Sequence, residues 1–116
     1  MNVLYSEDNK GFRRIISDIL GDLGHIVTSV GSAEEALEKI RQGEKFDAIV
    51  TDNQMLGLRG MEYLKTPEAQ SIPIRILLSL DSLKYNDALR EIGCIPLSKA
   101  DEDLVKKFAD NLAIKK

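Results

Sequence analysis

Between Phe46 and Gly60 the chain runs apolar, meets an acid and breaks into glycines: Phe46-Asp47-Ala48-Ile49-Val50-Thr51-Asp52-Asn53-Gln54-Met55-Leu56-Gly57-Leu58-Arg59-Gly60. Ala48, Ile49 and Val50 follow one another with no polar alternation, which suits a strand buried on both faces. Such strands belong to parallel sheets covered by helices, and no other stretch narrows the choice of fold as much. Asp52 falls where this strand must stop. The carboxyl end of a parallel strand opens onto the mouth of an α/β sheet, where ligands and chemistry are placed. An aspartate there can also do no more than end the strand.

The remaining sequence repeats the alternation that such a sheet needs. Asn2 to Ser6 reads as a strand that meets Glu7-Asp8-Asn9, and a helix follows with Phe12, Ile15, Ile16, Ile19, Leu20 and Leu23 on one stripe. Asp8 or Asn9 can cap that helix and Gly24 can close it. Ile26 to Val30 is a second strand. Ser32-Ala33-Glu34-Glu35 is a capping box that opens a helix with Ala36, Leu37 and Ile40 inward, and Gly43 ends it. His25, the lone histidine, has no partner in sequence and reads as a surface or turn residue. After the third strand, Gly60 to Lys65 gives a short helix stopped before Pro67, and Thr66 to Pro73 reads as turn. Ile74 to Ser79 is a fourth strand. Asp81 to Ile92 follows as a fourth helix, with Leu83, Ala88, Leu89 and Ile92 inward and Gly93 closing it. Cys94 to Ser98 makes a fifth strand, and Asp101 caps a last helix striped by Leu104, Val105, Phe108 and Leu112.

Five strands alternating with five helices, over connections too long for hairpins, predict a doubly wound α/β fold. The expected form is a five-stranded parallel sheet of order 2-1-3-4-5, a flavodoxin-like three-layer sandwich with the ends of strands one and three side by side. At 116 residues and 43% apolar content, residues 1–116 are expected to form one domain. Sixteen basic against 19 acidic residues give a formal charge of −3, which points away from nucleic acid and acidic membranes. Cys94 has no second cysteine to pair with, and the first residues show no signal-peptide pattern, so a cytoplasmic protein is expected. No appended effector domain is recognisable.

In that fold Glu7 and Asp8, Asp52, Ser79 and Lys99 follow strands one, three, four and five and share a single rim. Clustered carboxylates repel one another unless a cation enters, and oxygen ligands suit a hard ion, so Mg²⁺ is the expected occupant. Asp52 can then act as a nucleophile towards phosphorus, as in other aspartyl-phosphate chemistry. Ser79 can hydrogen-bond one phosphoryl oxygen and Lys99 can pair with another.

The chain closely resembles the receiver domain of bacterial and archaeal two-component response regulators, especially the stand-alone chemotaxis-type form. The likeness covers nearly the whole chain. It is carried by Val3-Leu4-Tyr5-Ser6-Glu7-Asp8-Asn9, by Asp47 through Glu62, by Ile72-Pro73-Ile74-Arg75-Ile76-Leu77-Leu78-Ser79 and by Pro96-Leu97-Ser98-Lys99. It implies a regulator that takes a phosphoryl group on Asp52 from a sensor histidine kinase or histidine phosphotransfer protein. It implies Mg²⁺ held directly by Asp8 and Asp52, by Glu7 through water and by the backbone carbonyl of Gln54. Ser79 matches the family's switch hydroxyl, Lys99 its phosphate-binding lysine, and the fourth helix, fifth strand and fifth helix its output surface.

Four positions depart from the family pattern. Pro96 stands where an aromatic switch residue is usual, three before the lysine. Leu56 replaces a proline and loosens the loop after the acceptor, and Leu80 replaces a small residue, with bulk that can shield the phosphoryl pocket. Ala100 replaces a proline whose preceding bond is cis, and a cis Lys99-Ala100 bond is expected if the lysine is to reach the phosphate. Pro96, Leu80 and Ala100 motivate an alternative reading, a receiver-like module that binds a partner without switching. A haloacid-dehalogenase-like phosphatase is disfavoured because Gln54 cannot titrate where that chemistry needs an acid. A flavodoxin-type cofactor protein is disfavoured by the acidic turn after the first strand.

Overall fold

The computed structural model describes residues 1–80 and 82–113, apart from the side chains of Ser82 and Leu83. The expected helix start at Asp81 and the inward placement of Leu83 lie outside the described residues. Five strands, β1 (Asn2–Ser6), β2 (Ile26–Val30), β3 (Ala48–Thr51), β4 (Ile74–Ser79) and β5 (Ile95–Ser98), form one parallel sheet of order β2-β1-β3-β4-β5. Every side chain of β3 is buried, as its uninterrupted apolar run requires.

Alternate side chains feed two cores. On one face Leu4, Ile49 and Leu77 pack with Ala36 and Leu37 of α2 (Ala33–Arg41), with Tyr63 and Leu64 of α3 (Gly60–Leu64) and with Ala69 of α4 (Pro67–Gln70). Leu89 of α5 (Asn86–Glu91) completes that layer. On the other face Val3, Tyr5, Val50, Ile76 and Leu78 pack with Ile16 and Leu20 of α1 (Lys10–Asp22) and Leu104 and Phe108 of α6 (Leu104–Asn111). The sandwich has the three layers that the alternation predicts.

Local signals act as expected at most ends. The Asn9 side chain accepts from the Phe12 N–H, and Ser32 accepts from the Glu35 N–H. Gly24, Gly43 and Gly93 each follow a helix with positive φ, where a Cβ would strain the backbone.

Several expectations need correction. The segment read as turn contains α4: Thr66 Oγ1 accepts from the Ala69 N–H, and Pro67 sits at the first helical position, where its missing N–H is not needed. The helix expected from Asp81 to Ile92 is instead a 3₁₀ turn over Ser82–Tyr85 followed by α5, and Ala88 is exposed. Strand β5 begins at Ile95, one residue after the expected start. Asp101 caps a turn preceding α6 by accepting from the Asp103 N–H, and it pairs with Lys107. Ile15 and Val105 face solvent although they lie on apolar stripes, and Phe12, also on one, is partly exposed at the edge of a cleft. His25 is buried, with Nδ1 3.3 Å from the Met1 amino group. Among the described residues no helix is long and apolar enough to cross a membrane.

Candidate functional site

Strand register brings the acidic residues together. Ser6 pairs with Thr51 across β1 and β3, so the next residues, Glu7 and Asp52, leave the sheet as neighbours. Their backbones are held by Glu7 N–H to Val30 O and Asp52 N–H to Ser6 O, both 3.0 Å. Ser79 pairs with Ser98 at the other side of the same edge, and the Lys99 N–H donates to Ser79 O at 3.2 Å. Glu7, Asp8, Asp52, Gln54, Ser79 and Lys99 all line one cleft of about 420 Å³. The single rim expected from the sequence exists.

Within it, one carboxylate oxygen from each of Glu7, Asp8 and Asp52 lies within 4.8 Å of the other two. Glu7 is fully buried, Asp52 nearly so, and Asp8 is exposed at the entrance. Three anionic oxygens on a partly open edge are a donor set that fits a hard divalent cation. Burial, and next the charge of Glu7, push the Asp52 carboxyl up to about 6, while Lys99 pulls the other way.

Lys99 reaches the acids along an unexpected path. Among the described residues no peptide bond is cis, so the Lys99-Ala100 bond is trans and the expectation of a cis bond is wrong. The lysine nonetheless points inward, with Nζ 2.5 Å from Glu7 Oε1 and 3.5 Å from Asp52 Oδ2. Its long flexible stem makes the approach that the backbone geometry was expected to provide.

Sequence reasoning missed three supports of the site. The Tyr5 hydroxyl donates to Glu7 Oε1 at 3.3 Å, and burial followed by the Glu7 charge raises the tyrosine pKa. Residues two apart on a strand share a face, so this pair was readable in principle. Asn53 ties the acceptor loop down: its N–H donates to Asp52 Oδ1 at 2.8 Å, its side-chain oxygen accepts from Met61 N–H, and its carbonyl accepts from Gly60 N–H. Glu34 of α2 accepts from the Leu58 N–H, a tether across the loop that Leu56 was expected to loosen. Leu56 itself is 87% exposed. Gly60 allows the closest approach, since a Cβ there would lie 2.1 Å from the Asp52 carbonyl oxygen.

The 2-1-3-4-5 sheet that carries this site has counterparts among known proteins. Residues 3–111 match the response regulator receiver domain. The chain belongs to that family. Its receiver fold superposes on the crystal structure of the Vibrio cholerae chemotaxis protein CheY4 with a TM-score of 0.80 and 27% identity, covering 95% of this chain and 97% of that one. The receiver is 36% identical over 70 residues to the V. cholerae chemotaxis protein CheY-3, covering 60% of this chain and 53% of that protein. It is 32% identical over 65 residues to the sensory/regulatory protein RpfC of Xanthomonas campestris pv. campestris, covering 56% of this chain and 9% of RpfC. The chain thus spans about half of one of these curated relatives and a small fraction of the other.

Proposed function

We propose that residues 1–116 act as one phosphoacceptor unit in a two-component phosphorelay, taking a phosphoryl group from the phosphohistidine of a sensor histidine kinase or histidine phosphotransfer protein. The observation that carries this reading is the meeting of Asp52 with both the acidic cluster and the Lys99 ammonium in one cleft. Glu7, Asp8, Asp52 and the backbone carbonyl of Gln54 would hold Mg²⁺. When bound, the ion supplies positive charge that screens the incoming phosphoryl oxygens from the carboxylates.

The chain's own residues perform the rest. An Asp52 carboxylate oxygen attacks phosphorus, the P–N bond to the donor imidazole breaks, and the imidazole keeps the bonding electrons while Asp52 becomes an acyl phosphate. Lys99 exchanges its contact with Glu7 for one to a phosphoryl oxygen, and the Ser79 hydroxyl donates to another. Hydrolysis of the acyl phosphate by water returns the carboxylate, so the protein is a regulator that catalyses changes of its own state. The signal passes by protein contact through the face made by α5, β5 and α6, in a cytoplasmic setting without nucleic-acid or membrane binding.

A second reading, a partner-binding module that does not switch, is favoured by Pro96. It occupies β5 opposite Leu77, where an aromatic rotamer would otherwise move. Intact-mass measurement after acetyl phosphate treatment, and ¹⁹F detection of a beryllofluoride adduct, separate the two. An adduct that needs Mg²⁺ and vanishes in Asp52→Asn supports the phosphoacceptor; no adduct in the parent leaves the non-switching module.

A further inference from the structure

Phe12 lies on the apolar stripe of α1, yet it is 37% exposed and joins neither hydrophobic core. What its ring meets is charge: Lys99 Nζ stands 4.5 Å from the ring centroid. The ammonium is enclosed between the Glu7 and Asp52 carboxylates and an aromatic face, and the lysine side chain is only 7% exposed. A ring face attracts a cation, and more strongly when water is kept away from the pair.

Two further facts give this contact a role. The bond after Lys99 is trans and leads to an alanine, so the ammonium reaches the cleft through its stem of four methylenes. The backbone of Phe12, by contrast, is anchored, because its N–H is the one capped by the Asn9 side chain at 2.9 Å in the first turn of α1. A ring carried on an anchored backbone therefore faces a long-stemmed lysine across the cleft.

We propose that Phe12 is a positioning residue whose ring face selects the conformer that brings the Lys99 ammonium into the acidic cleft. Contact with a ring face has no single preferred direction, so the ammonium can move from Glu7 towards a phosphoryl oxygen without losing it. The proposal rests on the phosphoacceptor reading for its effect on rate, though not for the contact itself.

Two measurements on the same variants test it. In the parent, ring currents shift the Lys99 ε-methylene protons upfield of those of the other lysines; Phe12→Leu abolishes the shift, and Phe12→Tyr and Phe12→Trp retain it. With acetyl phosphate and saturating Mg²⁺, Phe12→Leu is phosphorylated about tenfold more slowly, the scale of a desolvated cation–π contact, while Tyr and Trp keep the parent rate. Unshifted Lys99 protons in the parent overturn the proposal, as does a Phe12→Leu rate equal to the parent's or a Phe12→Trp rate as low as that of Phe12→Leu. If the parent forms no adduct, the phosphoacceptor reading fails, and the proton shifts decide on their own whether Phe12 holds the lysine.

Discussion

Replacing Asp52 by asparagine should stabilise the metal-free protein at neutral and alkaline pH. Burial and the neighbouring Glu7 raise the Asp52 carboxyl from the usual 3.8 to about 6. Well below pH 4 the side chain is protonated in both the folded and the unfolded chain, and its burial carries no charge penalty. Between about 4 and 6 the folded chain binds the additional proton, so stability falls as pH rises; above 6 the folded carboxylate is ionised and the whole penalty is present. A displacement of this size corresponds to about 3 kcal/mol, because each pH unit is worth about 1.4 kcal/mol. At roughly 4 °C per kcal/mol for a chain of this length, Asp52→Asn in EDTA should melt roughly 10 °C above the parent at pH 8. The gap should close by pH 4 and shrink at pH 8 when Mg²⁺ is added, because the ion then binds the parent. Urea titrations at both pH values, with EDTA and with Mg²⁺, measure it. Equal stabilities at pH 8 in EDTA, or a difference that persists undiminished at pH 4, would refute the account of Asp52 as a carboxylate held at electrostatic cost.

Three other outcomes are expected. Lys99→Met keeps the stem but strands the buried Glu7 charge, which should cost about 3–5 kcal/mol in EDTA, and urea midpoints should show part of that loss recovered by Mg²⁺. Gly60→Ala forces a methyl against the Asp52 carbonyl, which as backbone cannot easily yield, so denaturant melts should report a loss of about 2–3 kcal/mol. Leu80 is 72% exposed at the cleft mouth, so Leu80→Ala should leave stability within about 0.5 kcal/mol of the parent. It should also speed phosphorylation by acetyl phosphate; unchanged rates would show that the side chain does not shield the site.

The layout of the site could be read from the sequence because it depends on strand ends, and doubly buried strands announce themselves as apolar runs. Once β1 and β3 are neighbours, Glu7 and Asp52 must emerge together, and Ser79 and Lys99 follow from the order of β4 and β5. What escaped depends on side chains reaching across the fold. The Phe12 ring belongs by spacing to the α1 stripe, and only the tertiary position of Lys99 shows that it faces an ammonium. The trans Lys99-Ala100 bond was misjudged because the expectation concerned the backbone, whereas a four-methylene stem can reach the carboxylates from either geometry. Helix α4 did carry a start signal, Thr66 before Pro67, but four residues are too few to show a helical period. His25 is buried with its ring against the Met1 amino group, 24 residues away, a contact that no local pattern reveals.

The Lys99–Glu7 pair bears on how the cleft behaves between signalling events. Three carboxylates set against one resident ammonium leave an excess of two negative charges, the amount that a single divalent ion cancels. Because that counterion is supplied by the chain and sheltered from solvent, mobile salt can do little to the Lys99–Glu7 pair at the base of the cleft. Ionic strength should therefore act on how the protein meets a macromolecular donor and leave transfer from a small one almost untouched.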